Sequence, residues 1–294
     1  MKTRVITALI FGVIMIGGTL LTRETCAILY VIVGALCLKE LTTLLLVQDS
    51  RAPYNGIRKF FAILIGLLPA FMVFDTMLSP YPIIASGNGH WFFLIFFSAF
   101  IFELRARSSK PFDNIAYTLL GILYIGVPTA LLAAIALKDA SGRFLIMSIL
   151  LFMWANDVFA YFAGTAFGKN KIFPSISPNK TWEGTIGGFI ATILWGLASY
   201  FIFTVSLSNL GTQYSVGYTM GQWMILGASA SIFGIIGDLI ASMLKRSLGI
   251  KDTGNTLPGH GGLIDRFDSF IFSVPFIAFV IIFIFEDTRY IVAW

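Results

Sequence analysis

Apolar and polar positions along this chain come in long blocks instead of alternating. Nine apolar runs, at about 5–22, 26–47, 60–78, 91–104, 115–137, 144–168, 184–205, 223–244 and 269–285, are separated by short polar stretches. A helix needs roughly 20 apolar residues to cross the ~30 Å hydrocarbon core of a bilayer. The runs reach or approach that length, the fourth being the shortest. Strict period-two alternation, the mark of a membrane barrel strand, is absent, and open strands leave backbone groups unsatisfied in lipid. The pattern predicts an all-α, polytopic integral membrane protein of about nine transmembrane helices. The first run lacks a small-residue cleavage site followed by a polar domain, so it reads as a span and not a cleaved signal. There is no soluble domain, low-complexity tract or internal repeat. Residues 1–294 read as a single transmembrane domain, with N-terminal spans over about 1–140 and chemistry-bearing spans over about 144–294.

Composition supports this picture. The chain is 57% apolar, more than a soluble fold of 294 residues could cover. Charged residues make up only 12%, so each one inside an apolar run needs a physical reason. The net charge of +5 suits anionic lipid or a phosphorylated substrate. It does not indicate nucleic acid, because the basic residues sit in short loops between spans. Cys26 and Cys37 lie in or beside one apolar run, with neither metal-ligand spacing nor a disulfide framework.

Charge also orients the chain. With nine spans, the N-terminus and the loops after spans two, four, six and eight share one side, and 15 of the 20 basic residues fall there. The opposite side holds Arg23, Lys138, Arg143 and Arg289, and Lys39 lies within span two. The positive-inside rule then predicts a cytoplasmic N-terminus, a C-terminus on the far side and cytoplasmic chemistry-bearing loops. In a bacterium the membrane concerned is the inner, cytoplasmic one.

Those loops carry the candidate chemistry. Asp238 lies seven residues before Lys245, which on a helix is about 10 Å into the membrane. Asp238, Ser242 and Lys245 share one helical face. A carboxylate at that depth needs a partner: either a structural cation on another helix or a bound ligand. Asp265 and Asp268, three apart, cap a helix start or hold a hard cation such as Mg²⁺ together with phosphate oxygens. The stretch "PGHGG", Pro258–Gly262, is backbone able to approach a phosphate closely. His260 within it could bind phosphate, act as an acid or cap a turn. Lys245, Arg246 and Lys251 converge on this loop, although each alone could be an interfacial anchor. Lys180 and Glu183 straddle another membrane boundary, and Gly184 and Gly188 suit close helix packing. Asp157, beside Asn156, is a further carboxylate within a span. Glu40 beside Lys39 reads as a local structural pair. "GTAFGKN" has the wrong glycine spacing for a phosphate loop, and no Ser or Thr follows its lysine.

The 27 residues from Ser242 to Asp268, "SMLKRSLGIKDTGNTLPGHGGLIDRFD", resemble the signature of CDP-diacylglycerol synthases, also called phosphatidate cytidylyltransferases. Its Ser, Lys-Arg, Lys-Asp, His-Gly-Gly, Asp-Arg and Asp positions are all present at the family's spacing. "SPNKTWEGTIGG", from Ser177, is similar to a second stretch of that family. The resemblance implies transfer of the cytidylyl group of CTP to phosphatidate, giving CDP-diacylglycerol and pyrophosphate in phospholipid biosynthesis. It also implies dependence on Mg²⁺, with Mn²⁺ as a substitute and room for a second cation, and a homodimer. Carried onto this sequence, it implies metal ligation by Asp238, Asp265, Asp268 and Asp157. It implies catalytic roles for Lys245, Arg246, Lys251, Asp252, His260 and Arg266, and nucleotide contacts from Ser177, Lys180, Glu183, Gly261 and Gly262. The competing readings are a CTP-dependent lipid kinase, an ion-coupled transporter and a CDP-alcohol phosphotransferase, whose own motif is absent.

Overall fold

The computed structural model describes residues 2–46, 55–78, 90–211, 214–257 and 261–287. Among them the chain runs as nine helical rods: α1 (Lys2–Leu20), α2 (Arg23–Leu45), α3 (Asn55–Leu78), α4 (His90–Ala106), α5 (Pro111–Lys138), α6 (Gly142–Phe167), α7 (Trp182–Leu210), α8 (Met220–Ser247) and α9 (Ile264–Ile284). Each apolar run of the sequence falls on one rod. Seven rods are long and apolar enough to cross a bilayer, whereas the apolar part of α1 is Val5–Leu20 and α4 has 17 residues. The chain is a polytopic helical membrane protein.

Local sequence sets the rod ends. Thr22 accepts the Thr25 N–H, and the Thr25 hydroxyl accepts the Thr22 N–H in return, a reciprocal cap that starts α2. Thr219 and Gln222 do the same for α8, and the Thr181 hydroxyl accepts the Gly184 N–H at the start of α7. Three rods carry a π-helical turn, at Ile122–Gly126, Tyr200–Ser206 and Val280–Ile284, which block-scale hydropathy does not register.

Small residues set the spacing between rods. A Cβ on Gly184 would lie 2.8 Å from the Ala160 carbonyl oxygen, and one on Gly188 would lie 2.7 Å from Asn156 Oδ1, so α6 and α7 approach almost backbone to backbone. Gly227 meets the backbone of Thr192 on α7, while Gly237 meets the backbone of Asp268 on α9. The α8 rod is thereby wedged between α7 and α9. Residues of α2, α5, α6 and α9, among them Cys37, Ala133, Ile149 and Val274, form the fully buried centre. Apolar residues such as Val13, Phe162 and Leu194 stay exposed on the outer faces, as lipid contact requires.

Two features depart from the sequence reading. Residues Lys171–Phe173 (β1) and Ser177–Thr181 (β2) pair antiparallel as a hairpin between α6 and α7. Arg58, one of the 15 basic residues that the sequence places with the N-terminal side's loops, lies within α3 and forms a buried ion pair with Glu103 of α4 at 2.6 Å. Asn114 of α5 donates to the same carboxylate at 3.0 Å, so one polar knot ties three rods. A 250 Å³ cavity beside this knot holds none of the candidate residues.

Candidate active site

The polar stripe on α8 forms as its spacing predicts. Ser242 donates to Asp238 Oδ1 at 3.3 Å, and Lys245 lies further along the same face. Asp238 Oδ2 also pairs with Lys180 Nζ at 2.5 Å, and Lys180 is carried by β2. The helix supplies the carboxylate and the hairpin delivers its cation. Lys245 Nζ lies 2.7 Å from Asp265 Oδ1, joining the end of α8 to the first turn of α9.

The loop between these helices is organised around two carboxylates. Asp265 Oδ2 accepts the N–H groups of Thr253 at 2.8 Å and Gly262 at 3.0 Å. Glu40 of α2 accepts the Leu263 N–H at 2.7 Å, the Ile264 N–H at 3.0 Å and the hydroxyl of Thr256. The buried Thr253 hydroxyl lies within 3.2 Å of Glu40 Oε2 and 3.1 Å of Asp265 Oδ2. Glu40 is therefore no local partner of Lys39, which is exposed. Capping of α9 falls to Glu40 and Asp265, and Asp268 lies more than a turn inside the helix, buried.

The glycines of the loop serve the same packing. Gly261 has φ +86°, a backbone conformation that favours glycine, and a Cβ there would meet Asp265 and Asp252. A Cβ on Gly262 would lie 2.1 Å from Thr253 Oγ1 and 2.7 Å from Glu40 Oε2. In this arrangement both glycines make room for protein carboxylates, and the Gly262 N–H is already given to Asp265. His260 lies outside the described residues. Lys251 and Asp252 are exposed at the start of the loop.

Two cavities meet at Asp157. One, of about 540 Å³, is lined by Asp157, Lys171, Asn179, Lys180 and Asp238 below the hairpin. The other, of about 340 Å³, lies between α1, α6 and α9, with Phe11, Met153, Trp154, Asp265, Arg266 and Asp268 in its wall. One cavity is rich in cations and carboxylates. The other joins an apolar wall to a charged end, the shape an amphipathic molecule needs.

The Cytidylyltransferase family matches residues 2–284, essentially the whole chain. The chain belongs to that family. Phosphatidate cytidylyltransferase of Bacillus subtilis strain 168 is 30% identical over 284 residues, covering 96% of this chain and 97% of its own. The protein of the same name from Staphylococcus haemolyticus is 30% identical over 292 residues, covering 96% and 99%. That of Haemophilus influenzae is 40% identical over 143 residues, covering 49% and 47%.

Within this cytidylyltransferase, the sequence candidates divide by what they touch. Asp157, Lys180 and Asp238 face the larger cavity, and Asp157, Asp265, Arg266 and Asp268 the smaller. Glu183 instead accepts the backbone N–H groups of Lys169 and Asn170, anchoring the root of the hairpin. Arg246 Nε donates to the Ile176 carbonyl at 3.4 Å and so reaches the hairpin turn, next to Ser177. Among the described residues, no three His, Cys, Asp or Glu groups gather closely enough to hold a metal by themselves. Asp157 and Asp238 nonetheless present oxygen donors to one cavity, a set that suits Mg²⁺, which takes one or two carboxylates and completes its shell with water and phosphate. Asp265 accepts from Lys245, Thr253 and Gly262 in this arrangement and also lines the smaller cavity. Sequence reading missed the roles of Glu40 and Thr253. The one available signal for Glu40 was its position as a carboxylate inside an apolar run.

Proposed function

We propose that this chain transfers the cytidylyl group of CTP to phosphatidate, releasing pyrophosphate and forming CDP-diacylglycerol. The observation that carries this reading is the junction of two cavities at Asp157, one with Lys171, Lys180 and Asp238 in its wall and one that sets Phe11, Met153 and Trp154 beside Asp265, Arg266 and Asp268. CTP fits the first, where Lys180 and Lys171 meet its phosphates. Phosphatidate fits the second, with its acyl chains against Phe11 and Trp154 and its phosphate toward Arg266.

The chemistry asks for charge management, not a base. A phosphatidate oxygen, already anionic near neutral pH, attacks the α-phosphorus of CTP. The bond from that phosphorus to the bridging oxygen breaks, and pyrophosphate leaves with the electron pair. Two anions must approach in line, so catalysis rests on cations placed where charge builds up. Lys180 exchanges its contact with Asp238 for a phosphate, while Lys245, positioned by Asp265, and Arg266 hold the remaining negative charge. Asp157 and Asp238 would hold Mg²⁺, which would supply neutralisation of the triphosphate charge. The active site faces the cytoplasm, where CTP is available, with the N-terminus inside and the C-terminus outside the inner membrane. The enzyme works as a homodimer, as the family resemblance implies.

Purified protein in detergent, given CTP and phosphatidate, is expected to release one pyrophosphate per CDP-diacylglycerol formed, and none without lipid. Release of CDP with phosphorylated lipid would mark a kinase instead.

A further inference from the structure

The carboxylate of Glu40 is buried, 7% exposed, in the N-terminal part of the chain, yet its partners belong to the signature loop and the start of α9. A buried carboxylate is retained only where donors satisfy it. Glu40 has them: the backbone N–H groups of Leu263 and Ile264 and the hydroxyls of Thr253 and Thr256. The two N–H groups belong to the start of α9 and have no acceptor within the helix, so a carboxylate from α2 does the work of an N-cap that the local sequence lacks.

The loop is built to admit this group. Cβ atoms on Gly254 and Gly262 would come within 3.1 Å and 2.7 Å of the Glu40 carboxylate. Thr253 then passes its position on, because its N–H binds Asp265, and Asp265 holds Lys245. A chain of contacts runs from Glu40 through Thr253 and Asp265 to the Lys245 ammonium.

We propose that Glu40 is a positioning residue for cytidylyl transfer. It clamps the signature loop to α2 and thereby sets where Lys245 presents its charge. This rests on the reading of Lys245 as a phosphate-stabilising group. Glu40 touches neither substrate in this account and acts only through the loop.

The test is steady-state kinetics on purified, folded Glu40→Gln, alone and combined with Lys245→Ala. Glutamine keeps the shape but turns an amide N–H₂ toward protein donors. The expected result is a fall in kcat of about 10–100-fold, typical of lost outer-shell partners, with KM for phosphatidate unchanged. In the Lys245→Ala background the same substitution should have little further effect, because the two share one route. Normal kcat in folded Glu40→Gln, or a full and independent loss in the Lys245→Ala background, overturns the proposal. Normal activity of Lys245→Ala alone would instead defeat the reading of Lys245, which keeps the two failures apart. If Glu40→Gln does not fold, Thr256→Val decides. It leaves the carboxylate and removes one donor. A several-fold fall in kcat supports the proposal, and an unchanged kcat overturns it.

Discussion

At the scale of single residues, the site is a set of lysine–carboxylate pairs, and each pair makes a distinct demand. Lys245 sits beside Asp265, with side chains 14% and 9% exposed, so its charge is held in place and not left to sample solvent. Removing one such contact in a transition state that gathers negative charge typically lowers kcat by about 10²–10³-fold. Lys245→Ala is expected to show that loss in a turnover assay at saturating substrates, with KM little changed. Normal turnover would reduce the lysine to an interfacial anchor. Gly262 tests the geometry from the other side. A methyl group there would meet Thr253 Oγ1 at 2.1 Å and the Gly254 backbone at 2.7 Å, so the loop must shift. Gly262→Ala is expected to cut activity at least tenfold while the protein stays helical and elutes normally, measured by circular dichroism and gel filtration. The polar stripe of Asp238, Ser242 and Lys245 was legible in the sequence because helical periodicity is local. The Glu40 contact was not, because its partner Leu263 is 223 residues away and nothing along the chain links them.

At the scale of elements, packing between rods is carried by small residues on one side and a buried ion pair on the other. Gly188 admits Asn156 of α6 so closely that a larger side chain must push the rods apart. Overpacking of this kind costs typically about 1–3 kcal/mol. Gly188→Val is therefore expected to lower the midpoint of thermal unfolding in detergent, and an unchanged midpoint would mean that α6 and α7 are not held at this distance. Arg58 and Glu103 are 4% and 5% exposed and belong to different rods. Replacing Arg58 alone by Met strands a buried carboxylate, a loss of about 3–5 kcal/mol. Replacing both by Met and Leu should recover most of it, because the desolvation penalty of the pair goes too. Helix existence and register were readable because blocks of apolar residues leave few alternatives in a bilayer. The hairpin was not, because "KIF" and "SPNKT" are too short and too polar to show alternation, and one of them contains Pro178. The π-helical turns were also invisible, since they change hydrogen bonding and leave hydropathy as it was.

At the scale of the whole molecule, the polytopic helical architecture followed from composition and block pattern, because a chain so rich in apolar residues has no other way to bury them. Sidedness is a proposal from charge: the basic residues of the hairpin and the signature loop are assigned to the cytoplasm. Both natural cysteines are free and fully buried, so replacing them by Ser gives a background for single-cysteine labelling. A probe position near Trp294 is expected to react in intact cells with a membrane-impermeant maleimide. Reaction only after permeabilisation would reverse the topology.

The central claim is that cytidylyl transfer takes place in the cavity shared by Asp157, Lys180 and Asp238. The most direct measurement follows α-labelled and γ-labelled CTP into phosphatidate with wild-type protein and Asp238→Asn, purified side by side. Wild type should place the α label in CDP-diacylglycerol and leave the γ label in pyrophosphate. It should stop on chelation and resume with added Mg²⁺ or Mn²⁺. Asp238→Asn should fold normally and lose at least about 10²-fold in rate. Transfer of the γ label to lipid by the wild type, or near-normal Mg²⁺-dependent turnover by Asp238→Asn, would contradict the account.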